Sequence, residues 1–301
     1  MKLIWKYINW NVETTIFEDW TKIRKTNDDE FIPEFPENFD CQISTYCSNG
    51  CDFCYAWCST KWKDADLLKF MNLWNSLNPY TEIAININSR FPKNFEKFLD
   101  IMKERNIIVN ITIHQKQFVK HFDYLLKLTE DKLIYWIWIS LSNVVELLKL
   151  DIPKYFPNAV IHTILWITKP IEYLELWKDW KYKVLILWYK ETWRWKKFKS
   201  NLDYIEEYTF KYKFDYVYKN IKELTNKFKV ISFDNLAIEQ LDLKRIFTEE
   251  EYEKFYMWDD WTFTLYVDLV SETFSKNSIS KEKYKIWNKT IKEMFEHIRK
   301  Q

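Results

Sequence analysis

The sequence predicts an α/β protein whose parallel β-sheet is curved into a closed or partly open barrel. Two observations lead to this prediction. Apolar, strand-like segments alternate with amphipathic, helix-like segments over most of the chain, and each pair has the length of one βα unit. The length of 301 residues suits one barrel-sized core with small additions, so it does not require two large domains.

Two short extensions flank the βα series. Residues 1–40 form a polar, β-rich N-terminal extension, in which apolar and polar residues alternate. Residues 241–301 form a C-terminal extension with both strand and helix patterns. Strands are predicted in these extensions at Leu3–Ile8, Glu13–Phe17 and Thr262–Leu269, and a terminal helix at Lys281–Arg299.

The βα series itself occupies residues 41–240. Its strands are predicted at Cys41–Tyr46, Glu82–Ile87, Ile107–Ile113, Leu133–Leu141, Ala159–Leu165, Lys183–Leu187 and Lys229–Phe233. Its helices are predicted at Asp64–Leu77, Asn94–Arg105, Phe118–Leu128, Val144–Leu150 and Tyr204–Phe228, the last of them broken in two. Parallel strands joined in this way present their carboxyl ends at one edge of the sheet, where the active sites of barrels lie.

The charge and hydropathy of the chain exclude several functional classes. The 45 basic and 44 acidic residues give a formal net charge of +1, which argues against a surface dedicated to nucleic acids or polyphosphates. No apolar run approaches the roughly 18 residues of a membrane span, and the N-terminus lacks an extended apolar signal region. We therefore expect a cytoplasmic, soluble protein without a membrane partner.

The chain contains 17 tryptophans and a single glycine, Gly50. A protein of this length ordinarily has about 20 glycines. Many of the tryptophans follow Asp or Asn in polar turns, where a positive φ favours glycine and disfavours a bulky side chain. We interpret most of the tryptophans as glycines in the natural protein. The gene would come from a lineage that reads the codon UGA as glycine, whereas this sequence was translated with UGA as tryptophan. The alternative is a genuinely Trp-rich protein that buries its indoles.

This interpretation predicts where individual tryptophans lie. Trp74, in an apolar helical segment, is the best candidate for an authentic tryptophan. Trp57 and Trp138 are expected near the site, where large side chains would crowd a cofactor. Turns or loops, mostly exposed and in part with positive φ, are expected at Trp20, Trp180, Trp193, Trp195 and Trp261.

Four of the five cysteines lie within twelve residues: Cys47, Cys51, Cys54 and Cys58. Cys41 precedes them. A disulfide scaffold would spread its cysteines along a small secreted chain, so this clustering in a larger chain points to a metal site. The four give the spacing C-x3-C-x2-C-x3-C, which supplies either three ligands and one additional thiol or four ligands.

Cys47, Cys51 and Cys54, with Phe53 before the third cysteine, directly follow the first predicted strand of the series. This C-x3-C-x2-C pattern resembles the signature of the radical-SAM superfamily. The resemblance implies a 4Fe-4S cluster on three thiolates, with one iron left open for S-adenosylmethionine. It implies reductive cleavage to a 5′-deoxyadenosyl radical that abstracts hydrogen from a substrate. It further implies a partial TIM-type (β/α)6 barrel, with Phe53 beside the place where adenine would stack.

The resemblance also suggests residues that contact S-adenosylmethionine. The superfamily usually holds the methionine amino group with a Gly-Gly-Glu-like segment after its second strand, which this sequence lacks. Asn86 and Asn88 stand at the matching positions, although they are equally well explained as a strand-end turn. Ser140 or Ser142 matches the place from which the family commonly reaches the ribose, and a helix N-cap is an equally good role for Ser142. If Trp57 and Trp62 stand for glycine, the cysteine loop resembles that of small radical-SAM proteins, many from phages.

Residues at strand ends are the candidates for substrate contact or catalysis. His114 ends a predicted strand, and His162 lies within an apolar strand, where a histidine that only packs in the core is the common alternative. Glu191 and Arg194 belong to one loop after a predicted strand and are further candidates, and the alternative for Arg194 is a solvated loop residue. Further polar groups after predicted strands or before the C-terminal strand are Asp234, Asn235, Glu239, Asp259 and Asp260.

Substrate and product are not readable from the residues; a small molecule, a nucleotide or a peptide is compatible with them. An external electron donor of the flavodoxin or ferredoxin type is implied by the resemblance. The alternative function is a non-enzymatic iron–sulfur or zinc-binding protein that uses Cys47, Cys51, Cys54 and Cys58 as four ligands.

Overall fold

The structure is a computed structural model. It describes residues 2–18, 21–56, 58–178, 180–188, 190, 197, 199–256 and 258–300. Arg194 and Glu191, as well as four of the tryptophans, at 20, 57, 193 and 195, lie outside the described residues.

A three-stranded antiparallel sheet forms the N-terminal extension, with β1 (Leu3–Asn9), β2 (Val12–Phe17) and β3 (Lys22–Lys25) in that order. This confirms the two strands predicted there and adds a third. The sheet is attached to the rest of the chain through the buried carboxylate of Glu37, which accepts hydrogen bonds from Thr14 Oγ1 at 2.8 Å and from Arg24 Nε at 2.8 Å. Because a buried carboxylate is costly without partners, this cluster fixes the extension in place.

The main sheet has ten strands in the order β10-β9-β8-β7-β6-β5-β4-β11-β12-β13. The strands are β4 (Asn38–Gln42), β5 (Glu82–Ile87), β6 (Ile108–His114), β7 (Ile137–Ser140), β8 (Ala159–Ile164), β9 (Lys183–Leu187), β10 (Val230–Phe233), β11 (Thr264–Asp268), β12 (Thr273–Ser275) and β13 (Tyr284–Lys285). Strands β4 to β11 are parallel, and β12 and β13 are antiparallel additions at one edge. The mixed α/β class with a large, mostly parallel sheet is therefore confirmed.

Helices follow the strands of the main sheet. They are α1 (Met71–Asn75), α2 (Phe95–Glu104), α3 (Gln115–Lys120), α4 (Phe122–Glu130), α5 (Val144–Leu148), α6 (Ile152–Tyr155), α7 (Pro170–Trp177), α8 (Tyr204–Leu224), α9 (Asn235–Gln240), α10 (Leu243–Ile246), α11 (Glu249–Glu253) and α12 (Ile291–Arg299). A 3-10 turn at Leu67–Phe70 precedes α1. In the part of the chain that the structure describes, no helix is long and apolar enough to cross a membrane.

The two faces of the main sheet differ in burial. On β5 the isoleucines at 83, 85 and 87 are buried, whereas Glu82, Ala84 and Asn86 between them are only half-buried. This alternation places the apolar face against the helices and the more polar face on the opposite side. The polar groups considered below lie on that second face or in the loops beyond the carboxyl ends of the strands.

The main sheet is strongly curved. Asn235, which follows β10, donates a hydrogen bond from Nδ2 to Asp260 Oδ1 at 2.9 Å, and Asp260 lies shortly before β11. These two strands are seven places apart in the sheet, a separation of roughly 34 Å in a flat sheet at about 4.8 Å per strand. The strand pairing nevertheless does not close, because β10 and β13 form the two edges among the described residues.

Several predicted boundaries were wrong. The first strand of the series lies at Asn38–Gln42 instead of 41–46, because the side chain of Asn86 bonds Ile43 N and Ser44 O and replaces the ladder beyond Cys41. The helix α8 is continuous rather than broken. The terminal helix begins at Ile291, since the preceding residues include β13 and Thr290 caps the helix.

The tryptophans occupy unusual backbone conformations. Among the described residues, six of the thirteen non-glycine residues with positive φ are tryptophans, at positions 10, 166, 180, 258, 261 and 287. Trp180 and Trp261 lie in turns, with φ of 54° and 80°, as predicted. Trp74 is fully buried, and its indole N–H donates to the carbonyl of Leu67 at 2.7 Å. Among the described tryptophans, only Trp74 and Trp188 are buried, so the expectation for a Trp-rich core is not met.

Candidate functional site

The cysteine loop begins five residues after β4, at the edge of the sheet where the parallel strands end. Its base is closed by backbone hydrogen bonds, from Cys47 N to Ser59 O at 3.1 Å and from Ser59 N to Thr45 O at 3.1 Å. Gly50 has a φ of 67°, which only glycine adopts without strain, and a Cβ atom there would meet nothing within 4 Å. Gly50 is therefore favoured by the backbone conformation and not by close packing.

The four clustered cysteines lie near one another. Cys47, Cys51 and Cys54 are half-buried, Cys58 is buried, and none is in a disulfide. Burial raises the pKa of Cys51, and the negative charges of Cys54 and Cys47 raise it further. A hydrogen bond with Cys54 and burial likewise raise the pKa of Cys58. Each thiolate makes the ionisation of its neighbours less favourable. A cationic metal group that binds several thiolates at once would offset this repulsion, so the arrangement suits such a group.

The thiols are not gathered into a preformed metal site. Within the described ranges, no group of three or more His, Cys, Asp or Glu side chains is arranged to hold a metal ion. The chemistry of the donors nonetheless fits an iron–sulfur cluster, because three half-buried thiols approach one another in one loop. The sequence predicts that the sulfurs of Cys47, Cys51 and Cys54 converge within roughly 4–7 Å, because one cluster must span them, and this convergence stays a prediction. Cys41, by contrast, is buried in the apolar core, where burial keeps its pKa well above the usual range.

Asn86 and Asn88 hold the start of the cysteine loop. Asn86 accepts a hydrogen bond from Ile43 N at 2.9 Å and donates to Ser44 O at 2.9 Å. Asn88 donates from Nδ2 to Ser44 O at 2.9 Å and to Cys58 Sγ at 3.6 Å. The two amides thus connect the carboxyl end of β5 to the residues that lead into the loop.

Phe53 is half-buried and packs against the apolar core beside the loop. The structure brings it close to the cysteines through the turn in which Cys54 N donates to Cys51 O at 3.2 Å. Whether adenine stacks on it is a separate proposal, because no nucleotide is part of the structure.

His114, Ser140 and His162 are register neighbours on β6, β7 and β8. The ring of His114 caps α3 by accepting from Lys116 N at Nδ1, and burial lowers its pKa. His162 is buried, its Nε2 has no hydrogen-bond partner among the described residues, and burial lowers its pKa to about 3. Its ring stacks on Trp138, with ring centroids 5.9 Å apart. Trp138 therefore fills space next to an unsatisfied polar atom.

Ser142 is not the helix N-cap that the sequence suggested as its alternative role. Asn143 caps α5, because its side chain accepts from Glu146 N at 3.2 Å. Ser142 instead donates from its backbone N–H to Gln115 Oε1 at 2.9 Å. Ser140 lies half-buried at the end of β7, and its part in binding remains a proposal.

A second polar group, which the sequence did not identify as one cluster, lies around Lys190. Lys190 Nζ donates to Ser278 Oγ at 2.7 Å and sits 4.4 Å from the ring centroid of Tyr55. Burial by itself would lower the pKa of Lys190, but Tyr55, Asp40, Asp234 and Asp260 outweigh it and the pKa is raised. Glu239, which the sequence grouped with Asp234, is exposed on α9 and does not belong to this cluster.

The comparisons with known proteins rest on structure. No protein-family model matches the chain, and no curated protein matches it in sequence. The fold is similar to that of Streptococcus suis SuiB bound to S-adenosylmethionine, with a TM-score of 0.59 and 15% sequence identity over 89% of this chain and 68% of SuiB. A second structure of Streptococcus suis SuiB gives a TM-score of 0.56 and 16% identity over 90% of this chain and 69% of that one.

Proposed function

We propose that this chain is a radical-SAM enzyme that cleaves S-adenosylmethionine reductively. The observation on which this depends most is the position of the four neighbouring cysteines, in a loop at the carboxyl edge of a parallel sheet. Catalytic residues of parallel α/β folds collect at that edge. The similarity of the fold to a SuiB structure that holds S-adenosylmethionine supports the same proposal.

Cys47, Cys51 and Cys54 are the proposed ligands of a 4Fe-4S cluster. When bound, the cluster would supply the electron that breaks a C–S bond of S-adenosylmethionine and yields a 5′-deoxyadenosyl radical. The three half-buried thiols are partly accessible to a ligand. Cys58 is buried and hydrogen-bonded to Cys54, and we assign it the role of holding that thiolate in place.

The proposed S-adenosylmethionine contacts are Phe53, Asn86, Asn88, Ser140 and Ser142. The two asparagines are already engaged with Ser44, so their contribution is to position the loop as well as to present polar atoms. Ser140 is in register with His114 and His162, which places all three on one strand-end level. His114, His162 and Arg194 remain the proposed candidates for substrate contact or catalysis.

We also propose that the main sheet is a partial (β/α)6 barrel with an N-terminal part at 1–40, a central part at 41–240 and a C-terminal part at 241–301. The curvature that brings Asn235 to Asp260 supports this architecture. Strand β11, from the C-terminal part, pairs with β4 and thereby extends the barrel sheet.

Most of the tryptophans are proposed to be glycines in the natural protein. Trp10, Trp180 and Trp287 combine positive φ with largely exposed side chains, a conformation that costs a bulky residue free energy and gives little burial in return. Trp74 is the exception, because it is buried and hydrogen-bonded. The gene decides the matter directly, since UGA codons at the tryptophan positions are expected and UGG codons at most of them would contradict the proposal.

The proposed reaction needs an external one-electron donor of the flavodoxin or ferredoxin type and a substrate that is a small molecule, a nucleotide or a peptide. Of these two partners, the substrate would enter the interior of the sheet. The electron donor would instead meet the protein at its surface near the cysteine loop. The half-exposed loop is accessible for such an encounter.

A non-enzymatic protein with four cysteine ligands is the second candidate, because Cys58 lies beside Cys54 and supplies a fourth thiol. The number of ligands separates the two. We expect Cys58→Ala to retain nearly full iron and sulfide after anaerobic reconstitution, whereas Cys54→Ala loses them. Loss of iron in both variants, or zinc as the metal of the purified protein, would instead support the four-ligand protein.

A further inference from the structure

Asn49 lies in the cysteine loop, two residues after Cys47, and its side-chain amide is held through both of its polar atoms. Its Nδ2 donates a hydrogen bond to the carbonyl oxygen of Asn88, just beyond the end of β5, at 3.3 Å. Its Oδ1 accepts from Nε2 of Gln117, on α3, at 3.3 Å. Because β5 and α3 belong to different βα units, two separate parts of the fold fix the same side chain.

The backbone N–H of Asn49 donates a hydrogen bond to Cys47 Sγ at 3.4 Å. The backbone on both sides of this N–H is constrained as well. The N–H of Ser48 donates to Ser89 Oγ at 3.1 Å, and Gly50 turns the chain with a φ of 67°. The anchored side chain and the constrained backbone together direct the Asn49 N–H at the sulfur of a proposed cluster ligand.

The side chain of Gln117 brings a cost to the fold. Its Oε1 is buried and has no hydrogen-bond partner among the described residues, so the contact with Asn49 is the one hydrogen bond that its side chain makes there. A buried carbonyl oxygen without a donor is unfavourable, and an apolar side chain of the same length would avoid that penalty. The contact with Asn49 therefore explains the glutamine better than a contribution to stability does.

A hydrogen bond to a cysteine sulfur changes the electron affinity of an iron–sulfur cluster bound to it. One electron from the external donor adds one negative charge to the cluster and its thiolate ligands. An N–H directed at one of these sulfurs stabilises the reduced form more than the oxidised form, because hydrogen bonds to more negative acceptors are stronger. The N–H of Asn49 would therefore raise the reduction potential of a cluster held by Cys47.

We propose that Gln117 is a positioning residue that, through the side chain of Asn49, holds the Asn49 N–H on Cys47 Sγ and thereby raises the reduction potential of the cluster. The inference deepens the proposed function and rests on it for the presence of the cluster. The placement of the Asn49 N–H is a property of the chain itself, and it can be measured without a cluster or S-adenosylmethionine.

The test variant is Gln117→Met, which keeps the length of the side chain and removes its donor. Urea unfolding is expected to show no loss of stability, because the unpaired Oε1 is removed as well. In the cluster-free full chain, hydrogen exchange of the Asn49 amide, followed by NMR, is expected to become about tenfold faster. Val119→Ala, an exposed and uncharged change on α3, is the matched control and should alter neither the exchange nor the potential.

The midpoint potential is measured on the anaerobically reconstituted protein by a redox titration followed by electron paramagnetic resonance. Gln117→Met is expected to weaken electron uptake about tenfold, which is a potential about 59 mV lower for one electron. Asn49→Ala removes both side-chain anchors and is expected to lower the potential at least as much. Adding Gln117→Met to Asn49→Ala should cause no further shift, because Gln117 acts through Asn49.

A full cluster with the same midpoint potential in the unmodified chain and in Gln117→Met would overturn the inference, as would unchanged exchange of the Asn49 amide. Additive shifts in the double variant would contradict the path through Asn49. If Gln117→Met does not fold, Gln117→Leu and Asn49→Ala are measured in the same way, with the same expected results. An unmodified chain that takes up no 4Fe-4S cluster would overturn the proposed function and this inference together. Formation of 5′-deoxyadenosine with unchanged potentials would overturn this inference alone.

Discussion

Asn86 Nδ2 donates a hydrogen bond to the carbonyl oxygen of Ser44 at 2.9 Å, and this contact connects the end of β5 to the segment that leads into the cysteine loop. The same side chain accepts from Ile43 N at 2.9 Å. One amide therefore both ends the pairing of β4 with β5 and sets the direction in which the chain enters the loop.

Asn86→Ala is expected to lower the free energy of unfolding by about 1–3 kcal/mol, because it leaves Ile43 N without a partner and removes one of the two donors to Ser44 O. Iron incorporation should fall as well, since the loop loses its anchor. Urea unfolding and iron analysis measure both. Asn72→Ala, an exposed change on α1, is the control and should alter neither. Full iron content in a destabilised Asn86→Ala would show that the loop forms without this anchor.

Trp180→Gly is expected to stabilise the fold by about 1 kcal/mol, because glycine adopts the observed φ of 54° without strain. The exposed indole loses little burial in exchange. Trp74→Gly is the opposite case and should cost at least about 3 kcal/mol, since it empties a core position. Urea midpoints of the two variants test the difference, and equal destabilisation would contradict the glycine interpretation.

Trp138→Gly is expected to improve binding of S-adenosylmethionine about tenfold, or ~1.4 kcal/mol. The indole stacks on His162 and fills the interior face of β7 just before the strand end. Removing it opens space beside the unsatisfied Nε2 of His162. Equilibrium dialysis with the reconstituted protein measures the change, for which Trp62→Gly, at an exposed position, is the comparison. Equal effects in both variants would exclude crowding by Trp138.

Stability should depend on pH through His162. Its folded pKa of about 3 lies below the unfolded value near 6.5, so the unfolded chain binds a proton that the folded protein does not. The neutral histidine makes its full contribution to the free energy of unfolding above pH 6.5, and this contribution is lost as the pH falls towards 3. Between pH 7.5 and 5.5 the chain should lose about 1.4 kcal/mol more than His162→Leu. If the free energies of unfolding of the unmodified chain and of His162→Leu change with pH in the same way, His162 is not held neutral in the folded protein.

Elements bounded by clear turns were predictable from the sequence, whereas contacts made by curvature were not. Strands β5 and β9 have the predicted bounds because β5 alternates apolar and polar residues and β9 is a short apolar run, each between polar segments. The start of α5 at Val144 was predicted, whereas the sequence left Ser142 open between a ribose contact and a helix N-cap. Ser142 and Asn143 are both good capping residues, and only the backbone decides that Asn143 is the cap. Burial lowers the pKa of Lys190 whereas Tyr55 and Asp40 raise it, although the sequence places Asp40 and Lys190 on distant units and nothing local in the sequence signals that their charges interact.

The central claim is tested most directly by 5′-deoxyadenosine formation. The glycine-restored protein, which keeps Trp74, is reconstituted anaerobically with iron and sulfide and mixed with dithionite and S-adenosylmethionine, and the product is measured by chromatography. We predict 5′-deoxyadenosine from this protein and none above background from Cys47→Ala, Cys51→Ala or Cys54→Ala. No 5′-deoxyadenosine from a protein that holds a full 4Fe-4S cluster would contradict the radical-SAM proposal.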